Sequence, residues 1–147
     1  MKKGRQGKFK ERSGHIEREN KGLEIREDVG KPYIVLSLKD FENTQGQTFE
    51  QWEKDELLSL AITKLQMVCS LTRQEATRQQ IIKEYPKGTF PPDSDFYHPK
   101  HIAPDIAWCS MHIQGKECVI GYFTDHIFNI VFLDQYHKFW KSRKRGT

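Results

Sequence analysis

The segment from Trp108 to Trp140 restricts the fold more than any other part of the chain. It reads WCSMHIQGKECVIGYFTDHIFNIVFLDQYHKFW, three apolar runs of period-2 character joined by two short polar stretches. Gln114-Gly115 and Thr124-Asp125-His126 supply the turn residues, so the pattern predicts three consecutive antiparallel strands. Alternation assigns faces within the first strand. Trp108, Ser110 and His112 share one side; Cys109, Met111 and Ile113 share the other, which reads as core.

Upstream, Tyr33-Ile34-Val35-Leu36-Ser37-Leu38 is rich in strand formers and follows Pro32, which a strand start tolerates. Thr48-x-x-Gln51 and Thr72-x-x-Glu75 both match the capping box, in which a Thr side chain and a Gln or Glu three residues later satisfy free helix N–H groups. The first predicts a helix from about Phe49 through Val68. Leu57, Ala61, Leu65 and Val68 lie on one face, and Leu58, Leu60, Ile62 and Met67 widen it into a largely buried helix. The second box predicts a more polar helix over 73–85, with Ala76, Ile81 and Tyr85 as contacts and Pro86 and Gly88 as its stop. Residues 86–106 form a long Pro-rich connection, a length associated with function. A short helix or tail begins near Asp134.

The expected architecture is α+β: one N-terminal strand, a helical hairpin, then a three-stranded antiparallel C-terminal meander. It forms one domain over 31–140, long enough to bury a core without disulfide support. Residues 1–30 hold few apolar side chains and read as a flexible segment, and 141–147 as a basic tail.

The net charge of +4 is unevenly placed. Residues 1–12 carry six Lys or Arg and one Glu, residues 138–147 carry five Lys or Arg, and the body between is net acidic. Basic ends suit nucleic acid through counterion release, and equally serve as solubilising tails. The three cysteines, Cys69, Cys109 and Cys118, contain no CxxC and fall in helix and strand patterns, as expected of buried free thiols in a reducing compartment. No apolar run has membrane-spanning length, and the basic N-terminus lacks the apolar stretch of a secretory signal; a cytoplasmic location is expected.

Walker A, GxGxxG, GxSxG and HExxH patterns do not occur, so nucleotide transfer, dinucleotide redox chemistry and zincin hydrolysis find no support. His98-x-x-His101 with Cys109-x-x-His112 offers four metal-type ligands in fifteen residues. Strand alternation sends Cys109 and His112 to opposite faces, so this set is not expected to bind metal. His137 is the stronger chemical candidate. It follows the apolar run Ile127–Leu133, a histidine can serve as general acid or base, and Lys138 and Lys141 beside it suit a phosphate. Tyr136 suits base stacking. On the structural alternative, Tyr136, Phe139 and Trp140 pin the C-terminus to the sheet and His137 is incidental. Lys116, at the first hairpin tip, suits phosphate contact or edge protection. Phe90, Phe96, Tyr97 and Trp108 suit base stacking or loop anchoring.

The element order and the Tyr136-His137 ending after the last strand resemble the RelE/ParE toxin superfamily of bacterial toxin–antitoxin systems, over about 33–140. The resemblance implies an endoribonuclease that cuts mRNA, typically on the ribosome, and is silenced by a partner antitoxin. Its chemistry is attack of the ribose 2′-OH on the adjacent phosphate, with no metal and no cofactor. The resemblance implies proton transfer by His137, phosphate neutralisation by Lys116 and Lys138, and an aromatic role for Tyr136. Lys141, Arg143, Lys144 and Arg145 would bind RNA. Ribonuclease members commonly carry an arginine on the middle of the three strands, and here that strand, Glu117–Phe123, has none. The alternative is a non-enzymatic interaction module of degenerate toxin-like fold, its interface built from the 86–106 loop and the aromatic C-terminus.

Overall fold

The computed structural model describes residues 30–141. The bulk of the expected N-terminal segment, together with Arg143, Lys144 and Arg145, lies outside the described residues. The elements run β1 Val35–Ser37, α1 Phe49–Lys54, α2 Leu58–Val68, α3 Arg73–Arg78, β2 Lys83–Glu84, β3 Trp108–His112, β4 Cys118–Thr124 and β5 Ile127–Asp134. The fold is α+β, and the expected meander β3-β4-β5 is present. It is the centre of a wider mixed sheet with strand order β1-β5-β4-β3-β2. β1 joins β5 in parallel, with Val35 opposite Ile127, and β2 joins β3 antiparallel, with Lys83 opposite Ser110.

Both capping boxes form, with each Thr side chain accepting from the N3 backbone and each N3 side chain accepting from the cap N–H. The helices they open are shorter than expected. The helix predicted over 49–68 breaks at Asp55–Leu57. There Glu56 adopts φ 59°, its N–H donates to Glu53 O, and Leu57 N–H donates to Trp52 O. Helix α3 ends the same way: Gln80 sits at φ 61°, its N–H donates to Thr77 O, and Ile81 N–H donates to Ala76 O. Both ends are Schellman motifs, normally marked by Gly at the left-handed position. Here Glu and Gln occupy it, so composition carries no stop signal. The second stop corrects the expected helix over 73–85: its last third turns outward and becomes β2. Among the described residues no helix forms after Asp134, where residues 135–141 continue in turns and bends.

The sheet is covered on both faces. On one, Trp52, Ala61, Leu65, Val68 and Ala76 from the helices pack on Cys109, Met111, Val119, Phe128 and Ile130. The expected α2 face is correct, but it is narrower than read: Leu60, Ile62 and Met67 are exposed, because a helix lying on a sheet buries one stripe only. On the other face, Phe90, Phe96, Ile102 and Ile106 from the long connection join Phe139 and Trp140 over Trp108, Ile120, Tyr122 and Phe132. The 86–106 segment therefore acts as the second cover of the sheet. A strand buried on both sides is mainly apolar, as β5 is apart from the buried Asn129 and the terminal Asp134.

One irregularity bends the meander. Between Ile120 and Gly121 the β4–β5 register shifts, so Gly121 faces Ile130. A Cβ at Gly121 would lie 2.1 Å from Asn129 O, which only glycine avoids. The bulge frees the Val131 carbonyl to accept the Glu42 N–H at 2.9 Å, and Leu133 O accepts from Gln47 N–H at 3.1 Å, tying the 38–48 loop along β5. No helix among the described residues is long and apolar enough to cross a membrane.

Candidate functional site

The chemistry-bearing side chains gather where the β3–β4 hairpin meets the turn after β5. The hairpin pairs His112 directly opposite Cys118. Cross-strand partners lie on the same face with Cβ atoms roughly 5 Å apart, so the imidazole and thiol are neighbours by construction. The Cys118 sulfur lies 3.7 Å from His112 Nδ1 and 3.9 Å from Nε2. His112 is exposed, and Cys118 is buried beneath it.

The third member, His137, comes from the turn that follows β5. Asp134, buried at the strand end, accepts the Lys138 N–H at 2.9 Å through Oδ1 and the Phe139 N–H at 2.8 Å through Oδ2. The Asp95 N–H donates to Lys138 O at 3.0 Å from the opposite side. The clamped turn holds His137 at φ 58°, a conformation uncommon for a non-glycine residue and frequent at functional positions. Its ring centroid is 5.3 Å from that of His112. One donor atom each from His112, Cys118 and His137 falls within a mutual 4.8 Å.

Two hydrogen bonds orient this group. His112 Nδ1 lies 2.6 Å from Gly115 O and must donate to it, since a carbonyl only accepts; Nε2 then carries the free lone pair. The Cys118 thiol donates to Lys116 O at 3.3 Å. Burial, with the Asp134 and Glu117 carboxylates nearby, pushes that thiol up to about 12, so it is held protonated.

His112 and His137 line a cleft of about 1070 Å³, with Lys83, Glu84, Tyr85, Ser110, Trp140 and Lys141 around it. Tyr85 and Trp140 stack at 3.7 Å between centroids. Burial raises the Tyr85 phenol. Lys83 reaches the cleft because β2 pairs it with Ser110, on the same side of the sheet as His112. Its ammonium lies 5.1 Å from the Tyr85 ring centroid. Lys141 enters from the C-terminus and pairs with Asp95 at 2.6 Å.

The residues singled out from the sequence are thus distributed unevenly. His137 and Lys141 reach the cleft. Lys116 holds its ammonium 5.6 Å from the Tyr136 ring centroid. Tyr136 and Lys138 line a separate shallow groove with Gln45, Asp95 and Tyr97. Three residues were missed: His112 as a partner of His137, Cys118, and Lys83. The Gln114-Gly115 turn held a usable signal for the first two, since a loop over 113–117 pairs 112 with 118.

The expectation that Cys109 and His112 face opposite ways agrees with their positions, Cys109 being packed under the helices. His98 and His101 hold backbone instead. His98 Nε2 lies 2.9 Å from Ile102 O and 3.1 Å from Ala103 O, with its ring edge-on to Trp108. His101 Nε2 lies 3.0 Å from Asp40 O. Of the loop aromatics, Phe90, Phe96 and Trp108 pack into the second core, and Tyr97 is exposed.

No protein-family model matches this chain, and searches of curated proteins and of solved structures find no match either.

Proposed function

We propose that the chain is a RelE-like toxin that cleaves mRNA by attack of a ribose 2′-OH on the adjacent phosphate. One observation carries the reading: the rings of His112 and His137 lie 5.3 Å apart in a cleft whose walls hold Lys83 and Lys141. The reaction needs a base for the 2′-OH, an acid for the 5′-oxygen, and cations for the charge that builds on phosphorus.

The Gly115 carbonyl holds the His112 proton on Nδ1, so the bare Nε2 is the base that accepts the 2′-OH proton. His137, as the imidazolium, returns a proton to the departing 5′-oxygen. The bond from the 2′-oxygen to phosphorus forms as the bond from phosphorus to the 5′-oxygen breaks, leaving a 2′,3′-cyclic phosphate and a 5′-hydroxyl. Lys83 and Lys141 balance the charge, in place of the arginine that the middle strand lacks. The Tyr85–Trp140 pair gives one wall an aromatic surface for a base. The substrate on this reading is mRNA, met on the ribosome, and an antitoxin that covers the cleft is the silencing partner.

The test combines growth and chemistry. Induction of the intact chain is expected to arrest bacterial growth, and purified protein is expected to cut RNA in the presence of a chelator. His112→Ala and His137→Ala should each slow cleavage by about 100- to 10,000-fold while thermal melts show a folded protein. An intact chain that neither arrests growth nor cuts RNA overturns the reading, as does cleavage that survives loss of both imidazoles.

A further inference from the structure

We propose that His112, Cys118 and His137 form a three-ligand site for a zinc-type divalent cation, with its fourth coordination position open to the cleft. Two imidazole nitrogens and a sulfur are the donors that zinc prefers, and three protein ligands with one open position is the pattern of zinc sites that bind an exogenous ligand. Tetrahedral zinc with its usual bond lengths separates such donors by roughly 3.4–3.6 Å. Cys118 Sγ lies 3.9 Å from His112 Nε2, the nitrogen that the Gly115 carbonyl leaves free, and one donor atom from each of the three residues falls within a mutual 4.8 Å.

The surroundings are those of a prepared site. His112 and Cys118 are fixed opposite each other on two paired strands. The Gly115 carbonyl at 2.6 Å from Nδ1 sets the imidazole tautomer, the role that outer-shell carbonyls play for metal-ligating histidines. Asp134 clamps the turn that presents His137, and that turn holds a left-handed non-glycine backbone at φ 58°. Cys118 is buried while the two histidines are more exposed and line the cleft, so the remaining position would be reached from the cleft. Binding replaces the hydrogen bond that the thiol now donates to Lys116 O.

Occupation by zinc engages the nitrogens of both histidines and leaves neither to move a proton. Resting on the nuclease reading, the same cation is therefore an inhibitor of RNA cleavage, reversed by a chelator.

The decisive experiment uses the full chain, reduced and stripped with a chelator, then titrated with Co²⁺ and back-titrated with Zn²⁺. One equivalent of Co²⁺ should produce a sulfur-to-cobalt charge-transfer band, and one equivalent of Zn²⁺ should abolish it. The band should persist in Cys69→Ser and Cys109→Ser and vanish in Cys118→Ser. His137→Gln changes a turn residue outside the core, so it stays informative if Cys118→Ser is poorly folded; it should weaken Co²⁺ binding at least tenfold. No band, or a band that survives both Cys118→Ser and His137→Gln, overturns the site. A band without RNA cleavage under any condition leaves the metal site standing and removes the nuclease. Cleavage in chelator without a band does the reverse. Cleavage that Zn²⁺ at one equivalent leaves unchanged, in protein that shows the band, overturns the inhibitory role.

Discussion

His112 and Cys118 stand directly opposite each other across the β3–β4 hairpin, imidazole over thiol, with the sulfur 3.7 Å from Nδ1. The alternation that sends Cys109 to the helix side of the sheet is what brings His112 to Cys118. A five-residue loop then sets the register, and the clamped turn after β5 adds His137.

That clamp can be removed. Asp134→Ala deletes both carboxylate oxygens that accept from Lys138 and Phe139, leaving two N–H groups without their partners beside a buried aromatic cluster. The expected cost is about 2–4 kcal/mol, since each hydrogen bond to a charged group contributes on the order of 1.5–3 kcal/mol and part of the loss is recovered by water. Chemical denaturation measures it. Asp134→Asn, which keeps one acceptor oxygen, should retain more of the stability than Asp134→Ala does. Equal midpoints for wild type and Asp134→Ala would show that the turn is held by other contacts.

His98 separates loop anchoring from metal chemistry. Its ring contacts the Ile102 and Ala103 carbonyls and packs against Phe90 and Trp108. His98→Ala should lower stability by about 1 kcal/mol, through lost ring packing and a part-buried hydrogen bond. Cobalt binding at His112, Cys118 and His137 should be unchanged. A loss of the cobalt band in folded His98→Ala protein would place a ligand in the loop after all.

The thiols give a pH dependence with a definite sign. Burial pushes Cys109 and Cys118 up to about 12, against 9.0 for a free thiol. Below pH 9 both states of the chain hold these protons, and the stability contribution is complete. Above it the unfolded chain binds fewer protons than the folded one, so stability falls as pH rises from about 9 towards 12. The Tyr85 and Tyr122 phenols, raised chiefly by burial, act in the same direction. Denaturation midpoints across this window should decline, and less steeply in Cys109→Ala. Alkylation of the native protein near neutral pH should label Cys69, the least buried thiol, well before Cys109 or Cys118. A flat stability profile, or first labelling at Cys118, would contradict the burial seen here.

Local signals in the sequence determined much of this molecule. Period-2 patterning located the central strands, the two capping boxes marked the starts of α1 and α3, and the Leu57-Ala61-Leu65-Val68 stripe found the side of α2 that meets the sheet. Such features depend on residues a few positions apart, so the chain itself displays them. Helix ends were hidden, because Glu56 and Gln80 fill left-handed positions where glycine would have signalled a stop. The concealed stop at Gln80 placed Lys83 inside a helix when it belongs to an edge strand beside the cleft. Only the tertiary structure decided that β1 pairs with β5, that residues 86–106 join Phe139 and Trp140 in covering the second face of the sheet, and that His137 meets His112 and Cys118. Each of these joins residues far apart in sequence through burial and register, and no local pattern records which distant segments will bury each other best.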